Sequence, residues 1–156
     1  MDHRPSGWKV LAIAVPVLAL VGYLLWMSYD AGRRAEVLAG QVVVPYLEAI
    51  RARDYRRALE AYGTEAHRKR ITEPDLAAAY AELASRHGPL TSFELVSAQK
   101  QAVIGGDSWV HARYRLTFAR GMLAAAYDVK GEGDAARIDA SYVQDAAGKG
   151  LIPAPR

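Results

Sequence analysis

The hydrophobic positions of this chain change their spacing twice, and each change marks a new structural region. Residues 10–29, VLAIAVPVLALVGYLLWMSY, contain no charged side chain. At 1.5 Å per helical residue, about twenty apolar residues span a hydrocarbon core of roughly 30 Å. Trp8 precedes the run and Trp26 and Tyr29 close it, as aromatic side chains do at membrane surfaces. The pattern predicts a transmembrane helix over 10–29, preceded by a short tail, 1–9.

A cleavable signal peptide is the alternative explanation of this apolar run. Residues 27–30, MSYD, place bulky or charged side chains where a cleavage site needs small ones, so an uncleaved signal-anchor is favoured. The positive-inside rule hardly decides the orientation, because Arg4 and Lys9 precede the run and Arg33 and Arg34 follow it. Short N-terminal tails are easily retained in the cytoplasm. We therefore expect the C-terminal domain outside it, in the periplasm if the protein is bacterial.

Apolar residues then recur at steps of three and four. This spacing predicts an amphipathic helix from 33 to about 53, and we place a juxtamembrane helical linker at 30–41. We expect a bend or a fresh helix start at Pro45, because proline lacks the backbone donor. Asp54 is the expected N-cap of a second, short helix, which Gly63 ends.

A third helix is indicated by the strongest local signals in the chain. Thr72 is followed three residues later by Asp75, a pattern that resembles a capping box with Asp in place of Glu. Pro74 falls in the first turn, where proline is tolerated. Gly88 and Pro89 end the helix.

After this helix the spacing changes to an alternation of two. Residues 90–99 predict a first strand, and the glycine-rich turn at 105–107 reverses it. Residues 109–118 alternate over ten positions and predict the clearest strand. Two more strands are expected around 123–129 and 138–142. The C-terminal half is therefore predicted as a meander of four antiparallel strands.

Three helices followed by such a meander predict an α+β domain in which the helices cover one face of a curved sheet. The order of elements resembles the NTF2-like, or cystatin-like, cone fold. The resemblance covers roughly 42–143 and rests on YLEAI at 46–50 leading to RDYRRA at 53–58, on HGPL at 87–90 before the first strand, and on the hairpin at 120–121. Members of this superfamily include small-molecule isomerases and dehydratases as well as non-catalytic anchored domains.

Length and composition limit what the soluble part can be. The anchor leaves about 125 residues, enough for one ordinary domain. We place its boundaries at 42–145 and expect a flexible, glycine- and proline-containing tail at 146–156. The net charge of +3 is small and spread along the chain, so nucleic acid is not an expected partner. The chain has no cysteine, which permits an oxidising compartment and excludes disulfides and thiolate metal sites.

The sequence contains none of the common motifs for phosphate binding, zinc proteolysis, nucleophilic hydrolysis or calcium binding. His67, His87 and His111 are scattered, and we expect each at the surface or a helix end. No metal and no cofactor is therefore predicted. The basic run at 67–70, HRKR, is interpreted as a solvated loop, with contact to anionic headgroups as the alternative.

Enzymes of the cone fold typically hold an acid–base set inside the cone. The side chains predicted to point inward here are all phenols, namely Tyr46, Tyr80, Tyr114, Tyr127 and Tyr142. No carboxylate accompanies them, because Asp54 is better explained as a helix cap. The favoured interpretation is a core that hydrogen-bonds its own hydroxyls, and a ligand pocket lined by these tyrosines is the alternative.

The outward face of the long strand carries Trp109, His111, Arg113 and Arg115. Tryptophan and arginine are enriched where interfaces concentrate their binding energy, so we predict an interface there, against plain solvated surface as the alternative. The first functional hypothesis is a single-pass membrane protein with a non-catalytic NTF2-like domain in the cell envelope. That domain binds an envelope protein, a second copy of this chain or a small apolar ligand. The alternative is an isomerase- or dehydratase-like enzyme with degenerate acid–base residues.

Overall fold

The computed structural model describes residues 7–103, 106–144 and 150, with side chains from residue 15 onward. In these residues, helices precede strands. The helices are α1 (Gly7–Arg51), α2 (Tyr55–Tyr62), α3 (Glu65–Arg70) and α4 (Glu73–His87). The strands are β1 (Leu90–Ala102), β2 (Ser108–Phe118), β3 (Gly121–Lys130) and β4 (Arg137–Gln144), with a 3-10 turn at Gly133–Ala135 before β4. Apart from residues 7–9, which begin α1, and Gly150, the tails predicted at 1–9 and 146–156 lie outside the described residues.

Helix α1 joins the predicted membrane segment to the domain without interruption. It is long and apolar enough to cross a membrane. Its large apolar side chains between Val15 and Tyr29 are 47–71% exposed, so they do not pack on the domain. From Ala35 onward one side of the same helix is buried, and Val43 and Leu47 are completely covered. One helix therefore supplies both an uncovered apolar segment and part of the core.

Pro45 does not start a new helix, because α1 is continuous through it. The ring removes one backbone donor, at a cost of about 3 kcal/mol in a helix interior. Val43 and Leu47 on either side are fully buried, and burying such side chains stabilises a protein by about 1.5–3 kcal/mol each. Packing of the flanking residues outweighs the missing hydrogen bond. The expected fresh start at Pro45 is therefore wrong.

The predicted caps of α2 and α4 are confirmed. The Asp54 carboxylate accepts a hydrogen bond from the Arg57 N–H at 3.1 Å at the start of α2. The capping box of α4 is complete, since Thr72 and Asp75 each accept a hydrogen bond from the other's backbone. Gly88 ends α4 with φ of 80°, a conformation that favours glycine.

Helix α3 was not predicted, and it includes the whole of the expected loop at 67–70. Its N-cap is Thr64, whose hydroxyl accepts a hydrogen bond from the His67 N–H at 3.0 Å. The Thr64 N–H also donates to the Ile138 carbonyl at 2.8 Å, which fixes the start of the helix to β4. A six-residue helix without an apolar stripe gives no periodic signal in the sequence.

The strands form one antiparallel sheet in the order β1-β2-β3-β4, as predicted. The register shifts between β3 and β4: Asp128 pairs with Ala140 but Val129 pairs with Ile138, so Asp139 is an extra residue. This bulge reverses the alternation of β4 beyond it.

The helices cover one face of the sheet, called here the inner face, and leave the other, the outer face, uncovered. The largest fully buried side chains come from α1, α3, α4 and the strands and include Tyr46, Leu47, His67, Leu76, Leu116, Tyr127 and Ile138. Along β2, inner-face residues are buried while Arg113 and Arg115 are exposed. The α+β architecture with a four-stranded meander is confirmed.

Candidate functional site

Four of the five predicted tyrosines meet in the core between α1, α4 and the sheet. Tyr46, Tyr80, Tyr114 and Tyr127 are each no more than 5% exposed. The ring of Tyr127 packs edge to face on Tyr46, with centroids 5.9 Å apart, and on Tyr114, with centroids 5.8 Å apart. Such edge-to-face pairs stabilise a core beyond the area they bury. The rings therefore pack against one another as core residues.

The hydroxyls of this cluster are poorly paired. Within the described part of the chain, the phenol oxygens of Tyr46, Tyr114 and Tyr127 and the hydroxyl of Ser141 have no hydrogen-bond partner of normal geometry. Ser141 lies close enough to Tyr46 to lower the pKa of its phenol slightly, but this does not offset burial. Four unpaired polar atoms in one core are unusual, because most buried polar groups are hydrogen-bonded.

Burial also keeps these phenols neutral. It raises the pKa of Tyr80 and of Tyr114 to about 12, and it raises the pKa of Tyr46 and of Tyr127 well above the ordinary value of 10. At neutral pH all four hydroxyls remain protonated. They can donate or accept hydrogen bonds, but they supply neither a base nor a nucleophile.

Tyr142 does not belong to this cluster. It pairs with Ala126, whereas its neighbour Ser141 pairs with the inward-facing Tyr127. Tyr142 therefore lies on the outer face and is only half-buried. The cause is the bulge at Asp139, which shifts the alternation of β4 by one residue. The expectation that Tyr142 points inward is wrong.

The four predicted interface residues lie on the outer face, and three of them are held by bonds to neighbouring strands. His111 Nδ1 lies 2.7 Å from the Asp128 carboxylate. Arg113 donates to the Ser97 hydroxyl at 3.0 Å, and Arg115 donates to the Glu94 carboxylate at 3.1 Å. Trp109 is half-buried opposite Lys130. The bonds of His111, Arg113 and Arg115 orient these three side chains in the absence of a partner.

An apolar groove of about 390 Å³ lies beside the two arginines. Its floor is formed by Ala124 and Ala126 of β3, small side chains that leave a depression between β2 and β4. Val96 and Met122 flank it and are 54% and 65% exposed. This groove was not predicted, because the consecutive alanines at 124–126 show small side chains but not the neighbouring strands that border the depression.

A second polar cluster surrounds the bulge residue Asp139. Its carboxylate accepts a hydrogen bond from the Thr64 hydroxyl at 2.9 Å and lies 3.3 Å from Lys130 Nζ, and the Arg70 guanidinium donates to its backbone carbonyl. Partial burial acts to raise the pKa of Asp139, but the bonds from Thr64 and Lys130 outweigh it and the pKa lies below its ordinary value. Asp139 therefore stays ionised at neutral pH.

His67 lies beside this cluster and is almost fully buried, although the sequence placed it at the surface or a helix end. Burial, with the nearby positive charge of Arg70, lowers its pKa to about 4. Its Nε2 has no hydrogen-bond partner among the described residues. In the same part of the chain no three His, Asp or Glu side chains come together as a metal ion would require.

No protein-family model matches this chain, and neither the curated proteins nor the solved structures compared with it give a significant match.

Proposed function

We propose that this protein is a single-pass membrane protein whose soluble domain is a non-catalytic, NTF2-like module that binds a partner protein through the outer face of its sheet. The observation that carries the proposal is the uncovered groove on that face, with Val96 and Met122 beside it and Arg113 and Arg115 held in place.

The apolar first half of α1 supports membrane anchoring. Residues 10–29 would extend about 30 Å as a helix, the thickness of a hydrocarbon core. The exposed large side chains from Val15 to Tyr29 would be unfavourable in water over such a length, since about 25 cal/mol is lost for each Å² of apolar surface left uncovered. The proposed orientation places the domain outside the cytoplasm, in the cell envelope.

The order of elements supports the NTF2-like assignment. A long helix packs on a four-stranded meander, three shorter helices stand between them in the chain, and the longest alternating strand ends in a tight hairpin. Because this fold serves many functions, the fold assignment supports only the proposed architecture. The proposed function rests on the outer face.

The composition of the outer face favours a protein partner. Exposed apolar side chains gain free energy when another surface covers them, and the alanines allow close approach. Arginines already bonded to Ser97 and Glu94 lose less side-chain entropy on binding than free ones. The face therefore combines an apolar centre with a pre-ordered polar rim, as specific interfaces do.

Replacement of Trp109 and Arg113 together by alanine tests this proposal. We expect self-association or partner binding to weaken about thirtyfold, which corresponds to about 2 kcal/mol, with little loss of fold stability. Sedimentation of the purified protein in detergent measures self-association, and quantitative co-purification from solubilised membranes measures a partner.

The matched control is Arg68→Ala with Lys69→Ala, two exposed residues of α3 that do not line the groove. That variant should associate like the wild type. Unchanged association of the Trp109 and Arg113 variant, with an intact melting transition, would contradict the proposal.

A cone-fold enzyme is less well supported. Such an enzyme needs an interior group that exchanges protons near neutral pH. The interior tyrosines stay protonated far above that range, and their rings pack on one another. The Tyr46 and Tyr127 cluster is more consistent with a structural core.

A further inference from the structure

One end of the sheet lies on the side of the domain from which the apolar half of α1 emerges. Leu38 of α1 shares a groove of about 400 Å³ with Lys100, Asp107, Lys130 and Glu132. At the other end of the helix, the Arg51 guanidinium donates to the Thr91 carbonyl at the start of β1. Strand β1 therefore runs towards the apolar segment while α1 runs away from it.

This arrangement defines the membrane-side end of the sheet. Its residues are Lys100, Val103, Asp107, Lys130 and Glu132. Val103 directly follows β1, which ends at Ala102, and its carbonyl accepts a hydrogen bond from the Gly106 N–H at 2.9 Å.

The distance between this end and the apolar segment is short. Leu38 follows Tyr29 by nine residues, which is about 13 Å along a helix. Strand β1 continues two residues beyond Lys100 to Ala102, about 7 Å in the direction of the apolar segment, and Val103 follows directly. Headgroups occupy about 5–8 Å on each side of the hydrocarbon core. Val103 therefore reaches the level of the headgroups if the hydrocarbon ends near Tyr29.

The helix between these points is uninterrupted. The prolines of α1 are Pro16 and Pro45, and neither lies between Tyr29 and Leu38. Ala35, only six residues after Tyr29, is already 3% exposed, so the domain is packed on the helix from that point. The packing fixes the height of the sheet end above the apolar segment.

We propose that the membrane-side end of the sheet rests on zwitterionic lipid headgroups of the bilayer that holds α1. This inference rests on the proposed membrane anchoring. Val103 is 59% exposed and presents an apolar side chain to the interface. Around it the charges alternate in sign: Lys100 Nζ lies 3.7 Å from Glu132, and Lys130 Nζ lies 3.8 Å from Asp107. Headgroups with both charges match this surface, and an excess of anionic lipid is not required.

The absence of cysteine makes a direct test simple, because one introduced cysteine gives one spin label. Three variants of the full chain are labelled: Val103→Cys at the membrane-side end, Met122→Cys at the opposite end, and Leu18→Cys in the apolar segment. Ten paired rows separate the two ends of β2, about 30 Å. Val103 and Met122 are both exposed, so neither label enters the core.

The labelled proteins are reconstituted in phosphatidylcholine vesicles that contain a lipid with a nickel-chelating headgroup. Nickel shortens the relaxation time of a nitroxide only when it is near. We expect relaxation at Val103 to be enhanced at least threefold over that at Met122. Leu18 should contact dissolved oxygen and be shielded from a water-soluble nickel chelate. Unchanged melting transitions show that the variants fold.

The outcomes separate the two proposals. If Leu18 is shielded but Val103 relaxes like Met122, the anchor stands and contact of the sheet end with lipid is overturned. If Leu18 is accessible to the water-soluble chelate, the anchor itself is overturned. An enhancement at Val103 that appears only after phosphatidylserine is added would overturn the zwitterionic partner, whereas the same enhancement with and without it supports the proposal.

Discussion

The hydroxyl of Tyr127 is buried close enough to the Tyr80 phenol to influence its pKa, but the two form no hydrogen bond of normal geometry. The ring is completely buried between Tyr46 and Tyr114, and its oxygen has no partner of normal geometry in the described chain. A buried hydroxyl without a partner costs about 1–3 kcal/mol relative to its hydrated state. The ring stabilises the core while its oxygen opposes that stabilisation.

Tyr127→Phe is therefore expected to leave the free energy of unfolding unchanged or to raise it by about 1 kcal/mol. Urea unfolding of the purified protein, followed by circular dichroism, measures the change. Thr64→Val is the contrasting variant, since the Thr64 hydroxyl accepts from the His67 N–H and donates to Asp139. Loss of the Thr64 hydroxyl should lower the free energy of unfolding by about 1–2 kcal/mol. A loss above 1 kcal/mol for Tyr127→Phe would mean that its hydroxyl has a partner.

At this scale the alternation of the strands predicted the cluster only in part. Tyr114 and Tyr127 follow an unbroken alternation in β2 and β3, and both are buried as predicted. Tyr142 failed because Asp139 adds one residue to β4, and a bulge has no signal in a single sequence. The prediction that His67 lies at the surface or a helix end did not foresee its burial, because that burial depends on where α3 packs.

Helix α3 is attached to β4 at several points. The Thr64 N–H donates to Ile138, the Thr64 hydroxyl donates to Asp139, and Arg70 donates to the Asp139 carbonyl. His67 is buried beside these bonds in its neutral form, because its pKa is lowered to about 4. The attachment is therefore sensitive to acid.

The sign of this pH dependence follows from the two states. Unfolded His67 binds a proton below about 6.5, whereas the folded form resists protonation down to about 4. Its contribution is complete above about 6.5 and is lost as the pH falls towards 4, by about 3 kcal/mol in total. Asp139 also loses stability in acid, but below its ordinary pKa and so outside this window.

Between pH 7 and 4.5, His67→Gln should therefore show a flatter stability profile than the wild type, by about 2–3 kcal/mol. Urea midpoints measured at each pH report the profile. His87→Gln is the matched control, because that ring is only partly buried. If the free energy of unfolding of the wild type does not change between pH 7 and 4.5, His67 has the same pKa in the folded and unfolded protein, and the prediction is contradicted.

The elements were predictable where the local chemistry decides the structure. The capping box of Thr72 and Asp75 fixed α4, and Asp54 fixed α2. The predicted fresh helix start at Pro45 was wrong because burial of the residues on both sides outweighs the missing backbone donor. That burial depends on the tertiary structure. The groove at Ala124 and Ala126 also depends on neighbouring strands, so a single strand does not reveal it.

At the scale of the whole molecule, the orientation in the membrane is the main testable property. The charges at Arg4 and Lys9 nearly balance those at Arg33 and Arg34. The proposed orientation has the domain outside the cytoplasm. A reporter enzyme that is active only outside the cytoplasm should therefore be active when fused after Val143. Activity of a cytoplasm-only reporter at the same position would reverse the assignment.

The continuity of α1 also changes how a partner in the same membrane would be found. A helix of 45 residues is about 68 Å long. Because the domain packs on it from Ala35 onward, there is no flexible linker between the proposed anchor and the domain. If the apolar half of α1 spans a membrane as proposed, the outer face is held at one height above it. The protein then meets a partner in the same membrane only by lateral diffusion and by rotation about the membrane normal. The encounter takes place in two dimensions. Even a modest contact at this face would be amplified by the high local concentration that a shared membrane provides.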